Sequence, residues 1–263
     1  MSISIYIKKL LSYEEYSFSW NELIANINKS EISLRRKLER LVEKREIVNL
    51  RRGFYLIIPP RYSKTGYVPI QLYVDKLFKF LDREYYLGFY SAAKIHGASH
   101  QQTQRDYIVT SPPSLLDIKK GNFDLRFSTS SDCSNINILT KKSDAGYYKI
   151  SSPALTAIDL IHYQKKIGGL NRILSTLEEL IEEITIEDVQ NLLTWYPNKA
   201  SLQRFGFFLE MYQADKKILN LIYKHISISK FFPVLLNSDT NQKAGKVNNK
   251  WKVDVNIKLE SDL

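Results

Sequence analysis

EISLRRKLERLVEKREIVNLRRGFYLII, residues 31–58, carries two periodicities in succession. In the first half Leu34, Leu38, Leu41 and Val42 recur at i, i+4, i+7 and i+8, which gathers them on one face of a helix. In the second half Glu46–Leu50 and Phe54–Ile58 read as two strands about Arg51-Arg52-Gly53, with Gly53 supplying the turn and Pro59-Pro60 ending the second strand. Upstream, Ile3–Leu11 has the pattern of a short first helix. In SWNELIANI Ser19 can cap a second helix whose apolar stripe is Leu23, Ile24 and Ile27. Asn28-Lys29-Ser30 is a polar break, and Ser30 can cap the helix that follows. Helix, helix, turn, helix, hairpin is the order of a winged helix-turn-helix, expected over residues 1–60. The hairpin can close over the three helices, which makes a domain of that size viable.

With the leucines facing the core, Ser33, Arg36, Lys37, Arg40 and Lys44 share the opposite side and Arg35 lies at the flank. The second helix of a helix-turn-helix enters the major groove by its N-terminal half, here Ser30 to Arg40. Arginine can bind guanine through two hydrogen bonds, and serine can take a base edge or a phosphate. Lys29 and Lys44 suit phosphate contacts, which position the protein without reading sequence. The alternative is a solvated helix face, but Arg36–Arg40 and Glu39–Glu43 are like-charge pairs at i, i+4, so helix stability alone does not account for it. At the hairpin tip a turn needs Gly53 but has no use for two arginines, whereas Arg51 and Arg52 suit a narrow minor groove or flanking phosphates.

Bulk properties point the same way. The chain has 263 residues, a formal net charge of +10 and a pI near 9.4, which favours a polyanionic partner. Residues 1–65 hold 13 Lys and Arg against 7 Asp and Glu, so more than half of the excess charge lies in the first quarter. A single cysteine, Cys133, excludes an intrachain disulfide and any cysteine-rich zinc site and fits a reducing compartment. The segment MSISIYIKKLL lacks the features of a secretory leader, and no apolar run approaches 18 residues, so a cytoplasmic protein without a membrane span is expected.

Beyond the hairpin, residues 61–67 read as a linker and residues 68–263 as a larger effector domain. Its first part, 68–150, is mixed: Val68–Leu81 reads as a strand or helix entry and YYLGFYSAAKIHGA as a helix ended by Gly97. RDYIVTSPP, NFDLRFSTSS, NINILTK and Tyr147–Ile150 are β-prone. Residues 151–263 are mainly helical. Ser152 can cap a helix that has Pro153 at its first position and runs to Gly168-Gly169, and Thr185 can cap a later one. Trp251, Val253, Val255, Ile257 and Leu259 alternate as in a half-buried strand. The expected class is α+β, a winged helix-turn-helix followed by a larger, helix-rich α/β domain.

No catalytic residue, metal site or cofactor is expected. His96 and His100 have the i, i+4 spacing of zinc ligands, but Gly97 and Ser99 intervene and no third ligand is evident. Asp117-Ile118-Lys119 with Asp106 upstream resembles the acid-x-Lys pattern of metal-dependent nucleases only over three residues, and Pro112-Pro113 interrupts the strand it needs. Asp159 on its helix and Cys133 in its polar setting have no partner in sequence. Glu178, Glu179, Glu182 and Glu183, continued by Glu187 and Asp188, form an acidic cluster with no Lys or Arg from Ile173 to Asn198. That cluster is either a solvated face or a surface for a basic partner.

SLRRKLERLVEKREIVNLRRGFYLIIPPRY resembles the N-terminal segment of AbiEi-type antitoxins of bacterial type IV toxin–antitoxin, abortive-infection systems. The likeness continues through YYLGFYSAAKIHGASHQQTQ, ISSPALTAIDLIHYQKKIGGLNRILSTLEEL, RFGFFLE and WKVDVNIKLESDL, nearly the whole chain in order. The resemblance implies a winged helix that represses its own operon on double-stranded operator DNA. It also implies a C-terminal part that counters a nucleotidyltransferase-like toxin and need not form a stable complex with it. The basic-helix and hairpin positions carry over by match; no antitoxin-active residue does.

Overall fold

Three serines open the first three helices of the computed structural model, which describes residues 1–98, 105–131, 135–238 and 242–260. Ser2 accepts from the Ile5 N–H at the start of α1 (Ile3–Ser12). After β1 (Ser17–Ser19), Ser19 and Glu22 form a reciprocal capping box on α2 (Trp20–Asn26). Ser30 accepts from the Ser33 N–H to begin α3 (Glu31–Glu43). Each such cap stabilises its helix by about 0.5–2 kcal/mol. β2 (Ile47–Arg51) and β3 (Phe54–Ile57) complete the expected hairpin.

The strand β1 was not evident from the sequence. It pairs antiparallel with β3, Phe18 opposite Tyr55, and makes a three-stranded sheet in the order β1-β3-β2. One face of the sheet closes over the helices, where Phe18, Leu23, Leu34, Leu38, Leu41 and Tyr55 form a continuous core. Phe18 and Tyr55 stack at 5.4 Å. Two residues expected in this core stand outside it: Ile24 is 40 % and Val42 39 % exposed. The reason is angular. The buried arc of α3 is centred on Leu34, Leu38 and Leu41, and Val42 lies about 100° beyond Leu41; α2 is seven residues long and buries Leu23 alone.

The chain divides into two units, and the first does not end at the hairpin: Met1–Tyr86 is joined by Gln104–Cys133 and Thr140–Ile150. Residues 61–67, expected as a linker, lie inside this unit, where Arg61 donates to the Tyr16 hydroxyl at 2.5 Å. The second face of the hairpin is covered by α4 (Val74–Leu81), with Phe54 and Phe80 rings 5.3 Å apart. Lys76 of α4 binds Glu15 at 2.6 Å and the capping Glu22 at 3.2 Å. Burial pushes the Glu22 carboxyl up, but the Ser19 backbone N–H and Lys76 outweigh it and hold the group below its ordinary value.

β4 (Tyr85–Leu87), β5 (Asp106–Thr110), β6 (Ile118–Lys120), β7 (Phe123–Thr129), β8 (Ile138–Ser143) and β9 (Gly146–Ser151) form a six-stranded sheet in the order β6-β7-β5-β4-β9-β8. β5 and β7 run parallel, and β6 and β7 antiparallel. The helix expected over YYLGFYSAAKIHGA is therefore corrected at its start. Tyr85, Tyr86 and Leu87 are all buried in an interior strand, as β-prone residues with both faces covered allow. The helix, α5 (Phe89–Ile95), begins only after Gly88.

The second unit comprises Leu87–Thr103, Ser134–Leu139 and Ser151–Leu263. Its centre is α6 (Pro153–His162), which has Ser152 as cap, Pro153 at its first position and residues Ala154 to Ile161 buried throughout. A short 3-10 turn, Gln164–Ile167, replaces the last turns expected of this helix, and Gly168 at φ +110° redirects the chain. α5, α7 (Leu170–Glu182), α8 (Ile186–Trp195) and α9 (Lys199–Met211) pack on α6, and α10 (Lys216–Ser227) packs on α8 and α9. Thr185 caps α8 as expected. The alternating tail contributes a two-residue strand, β11 (Val253–Asp254), parallel to β10 (Val234–Leu235). Trp251 and Val253 are buried but Val255 is half exposed, because pairing stops before it.

Candidate nucleic-acid interface

Helix α3 turns Leu34, Leu38 and Leu41 inward and leaves Ser33, Arg36, Lys37, Arg40 and Lys44 exposed, with Lys29 and Ser30 exposed at its start. Among the described residues Arg36, Lys37 and Arg40 have no ion-pair partner in the chain. Arg35 differs: it pairs with Glu31 at 3.3 Å and lies 4.3 Å above the Trp20 ring. These cations border a groove of about 590 Å³ that runs between Ser2 and Ile3 at the start of α1 and Lys29, Ser30 and Ser33 at the start of α3. The N-termini of both helices thus open onto one concave, basic surface, and the dipoles add to the side-chain charge there. This surface can take a polyanion along α3.

The hairpin tip is less free than its charge suggests. The Trp20 N–H donates to the Gly53 carbonyl at 2.8 Å, and Gly53 itself, at φ +81°, sits against Phe80 and Trp20. Arg52 is exposed, but Arg51 is half buried and its Nη1 has no hydrogen-bond partner. The Asn49 Oδ1 on the same strand is likewise buried without one. Between the hairpin and α3, a second groove is lined by Arg35, Glu39, Asn49 and Tyr55. Burial pushes the Tyr55 hydroxyl above its ordinary value, with Arg35 opposing and Glu39 adding to the shift. The main-chain bond from Trp20 leaves no mark in the sequence, because any residue but proline at position 20 can donate it.

In the second unit Glu178, Glu182 and Glu183 are exposed, and Glu179 is half buried. Asp188 does not belong to this surface. Its carboxylate accepts from Asn137 Nδ2 at 2.7 Å and from the Ala154 N–H at 2.7 Å, and Asn137 Oδ1 in turn accepts from the Trp195 indole at 2.7 Å. The weaker chemical candidates lie apart. His96 ends α5 and contacts the Ser151 carbonyl through Nε2 at 2.8 Å. Asp117 binds Arg126 at 2.9 Å and accepts from the Phe127 N–H, while Asp106 accepts from the Tyr67 hydroxyl at 3.0 Å. Asp159 is buried on α6. His100 and Cys133 lie outside the described residues. Among the described residues no three His, Cys, Asp or Glu side chains are gathered as for a metal ion, and no helix is long and apolar enough to cross a membrane.

Residues 86–211 match the family model described as the AbiEi antitoxin C-terminal domain. In that segment the chain matches an AbiEi-type antitoxin, which supports an antitoxin role in a toxin–antitoxin system. Among solved structures, the crystal structure of the RV2827C protein from Mycobacterium tuberculosis is similar, with a TM-score of 0.66 at 14 % identity. The superposition covers 95 % of this chain and 89 % of that one, so the two share a fold over nearly their whole lengths. No curated protein sequence matches the chain.

Proposed function

With an AbiEi antitoxin domain matched in its C-terminal part, we propose that this chain is an antitoxin that also represses its own operon. Its winged helix, residues 1–60, binds double-stranded operator DNA, and residues 68–263 counter a nucleotidyltransferase-like toxin. The observation that carries the DNA-binding half is the set of cations Arg36, Lys37 and Arg40, without ion-pair partners among the described residues, on the outward face of a capped helix beside the α1 N-terminus. Cations held on a folded surface without counter-ions favour a polyanion, and the helix-turn-helix geometry favours the major groove. Lys29, Ser30 and Lys44 then fall to phosphates at the two ends of α3, and Arg52 to the flank at the hairpin.

Co-expression with the toxin encoded beside the gene tests the other half. The full chain is expected to restore growth. Failure to do so, with operator binding intact, would leave a winged-helix regulator whose C-terminal part senses a ligand or oligomerises.

Two variants separate the surfaces. Arg52→Ala is expected to flatten the salt dependence of operator binding by about 0.9 units in log–log slope. Arg51→Ala should change the slope less, since that side chain is half buried. Equal slopes for Arg52→Ala and the parent protein would reduce the tip to a turn. In the second unit, Glu178→Lys with Glu182→Lys and Glu183→Lys is expected to weaken toxin neutralisation while operator affinity stays the same. Undiminished rescue by this triple variant would return those glutamates to a solvated face.

A further inference from the structure

Ile32 is 67 % exposed, although it stands in the first turn of a well-packed helix. It follows Glu31 and precedes Ser33, and at i, i+4 it is the helical neighbour of Arg36 on the outward face. Folding makes little use of an isoleucine there, and unlike other exposed apolar side chains it stands among the cations of the α3 groove. It buries little area, and a β-branched residue suits a helix less well than alanine, lysine or glutamate.

We propose that Ile32 is a specificity-determining contact, which packs its side chain on a thymine C5-methyl group in the major groove. The inference rests on the DNA-binding reading above. Its surroundings fix the class of partner: Lys29, Arg36, Lys37 and Arg40 line the same groove as Ile32, so whatever meets this isoleucine is a polyanion. Of the groups that a B-form major groove displays, the thymine methyl is the apolar one. RNA fits poorly, because uracil lacks that methyl and the A-form major groove is too deep and narrow for side chains to read. Arg36 supplies the polar contact one helical turn away, and Ile32 adds discrimination that no charge can supply.

The test uses the full chain and the DNA upstream of its own coding sequence, amplified once with thymidine and once with deoxyuridine triphosphate. The parent protein should bind the deoxyuridine duplex about four-fold more weakly for each methyl contacted. Ile32→Ala should weaken binding to the thymine duplex by a similar factor and bind both duplexes alike. Its salt slope should match the parent, and its melting temperature should stay level or rise slightly, since alanine is the better helix former at an exposed position. Retained discrimination in Ile32→Ala, or parental affinity for the thymine duplex, overturns the inference while leaving the DNA-binding reading in place. Failure of the parent protein to bind either duplex above competitor DNA overturns both.

Discussion

Trp251→Ala is expected to destabilise the second unit by about 3–5 kcal/mol, the cost of emptying a large buried aromatic site, against a total of roughly 5–15 kcal/mol for a typical domain. Trp251 is fully buried. Its indole donates to Glu210 at 2.7 Å, its carbonyl accepts from Gln203 Nε2 at 2.8 Å, and its ring meets Tyr223 edge-on at 5.9 Å. It thereby links the tail to α9 and α10. Gly206, in the middle of α9, records the same packing from the other side, because a Cβ there would overlap the indole ring. Glycine inside a helix costs about 1 kcal/mol relative to alanine, and close approach of the indole is what requires it. Gly206→Ala alone should therefore destabilise by about 1–3 kcal/mol through overpacking. In the Trp251→Ala background the same change should become neutral or stabilising, since the obstacle is gone and the propensity gain remains. Calorimetric melting of the four proteins of this cycle decides it. Additive losses would mean that Gly206 and Trp251 do not share a site.

Which features were legible follows from how far apart their causes lie in the chain. The caps at Ser19, Ser30, Ser152 and Thr185 are readable because each depends on a backbone N–H three residues on. The basic face of α3 followed from helical spacing alone. β1 was hidden, since three residues acquire strand character only by pairing with Phe54–Leu56, far along the chain. Tyr85–Leu87 failed for a related reason: the same residues suit a helix or an interior strand, and neighbouring strands decide. At the candidate site the sequence could place Arg51 and Arg52 at a turn. It could not distinguish them: Arg51 is the last residue of β2 and half buried, whereas Arg52 lies in the turn and is exposed. Asp188 has the spacing of a surface charge, but its partners, Asn137 and the α6 N-terminus, are far away in the chain.

Replacing Arg36, Lys37 and Arg40 together by alanine is expected to lower operator affinity at least about 100-fold, taking about 1–3 kcal/mol for each side chain that no longer reaches the DNA. The salt dependence sorts the three roles. Were all three bound to phosphates, the slope would flatten by about 2.7 units; each arginine that reads a base edge instead subtracts roughly 0.9 from that change and relaxes sequence preference at one position. Stability should move the opposite way. The three side chains are exposed and, among the described residues, without ion-pair partners, so the fold loses only the modest favour of Arg40 in the last turn of α3. Their removal relieves the Arg36–Arg40 repulsion, worth about 0.2–0.5 kcal/mol, and brings in the best helix former. A variant that melts slightly higher yet scarcely binds DNA is what a face selected for a polyanion requires. A face that is merely solvated requires the reverse, unchanged affinity and unchanged slope in titrations at several salt concentrations, and that result would remove DNA binding from this helix.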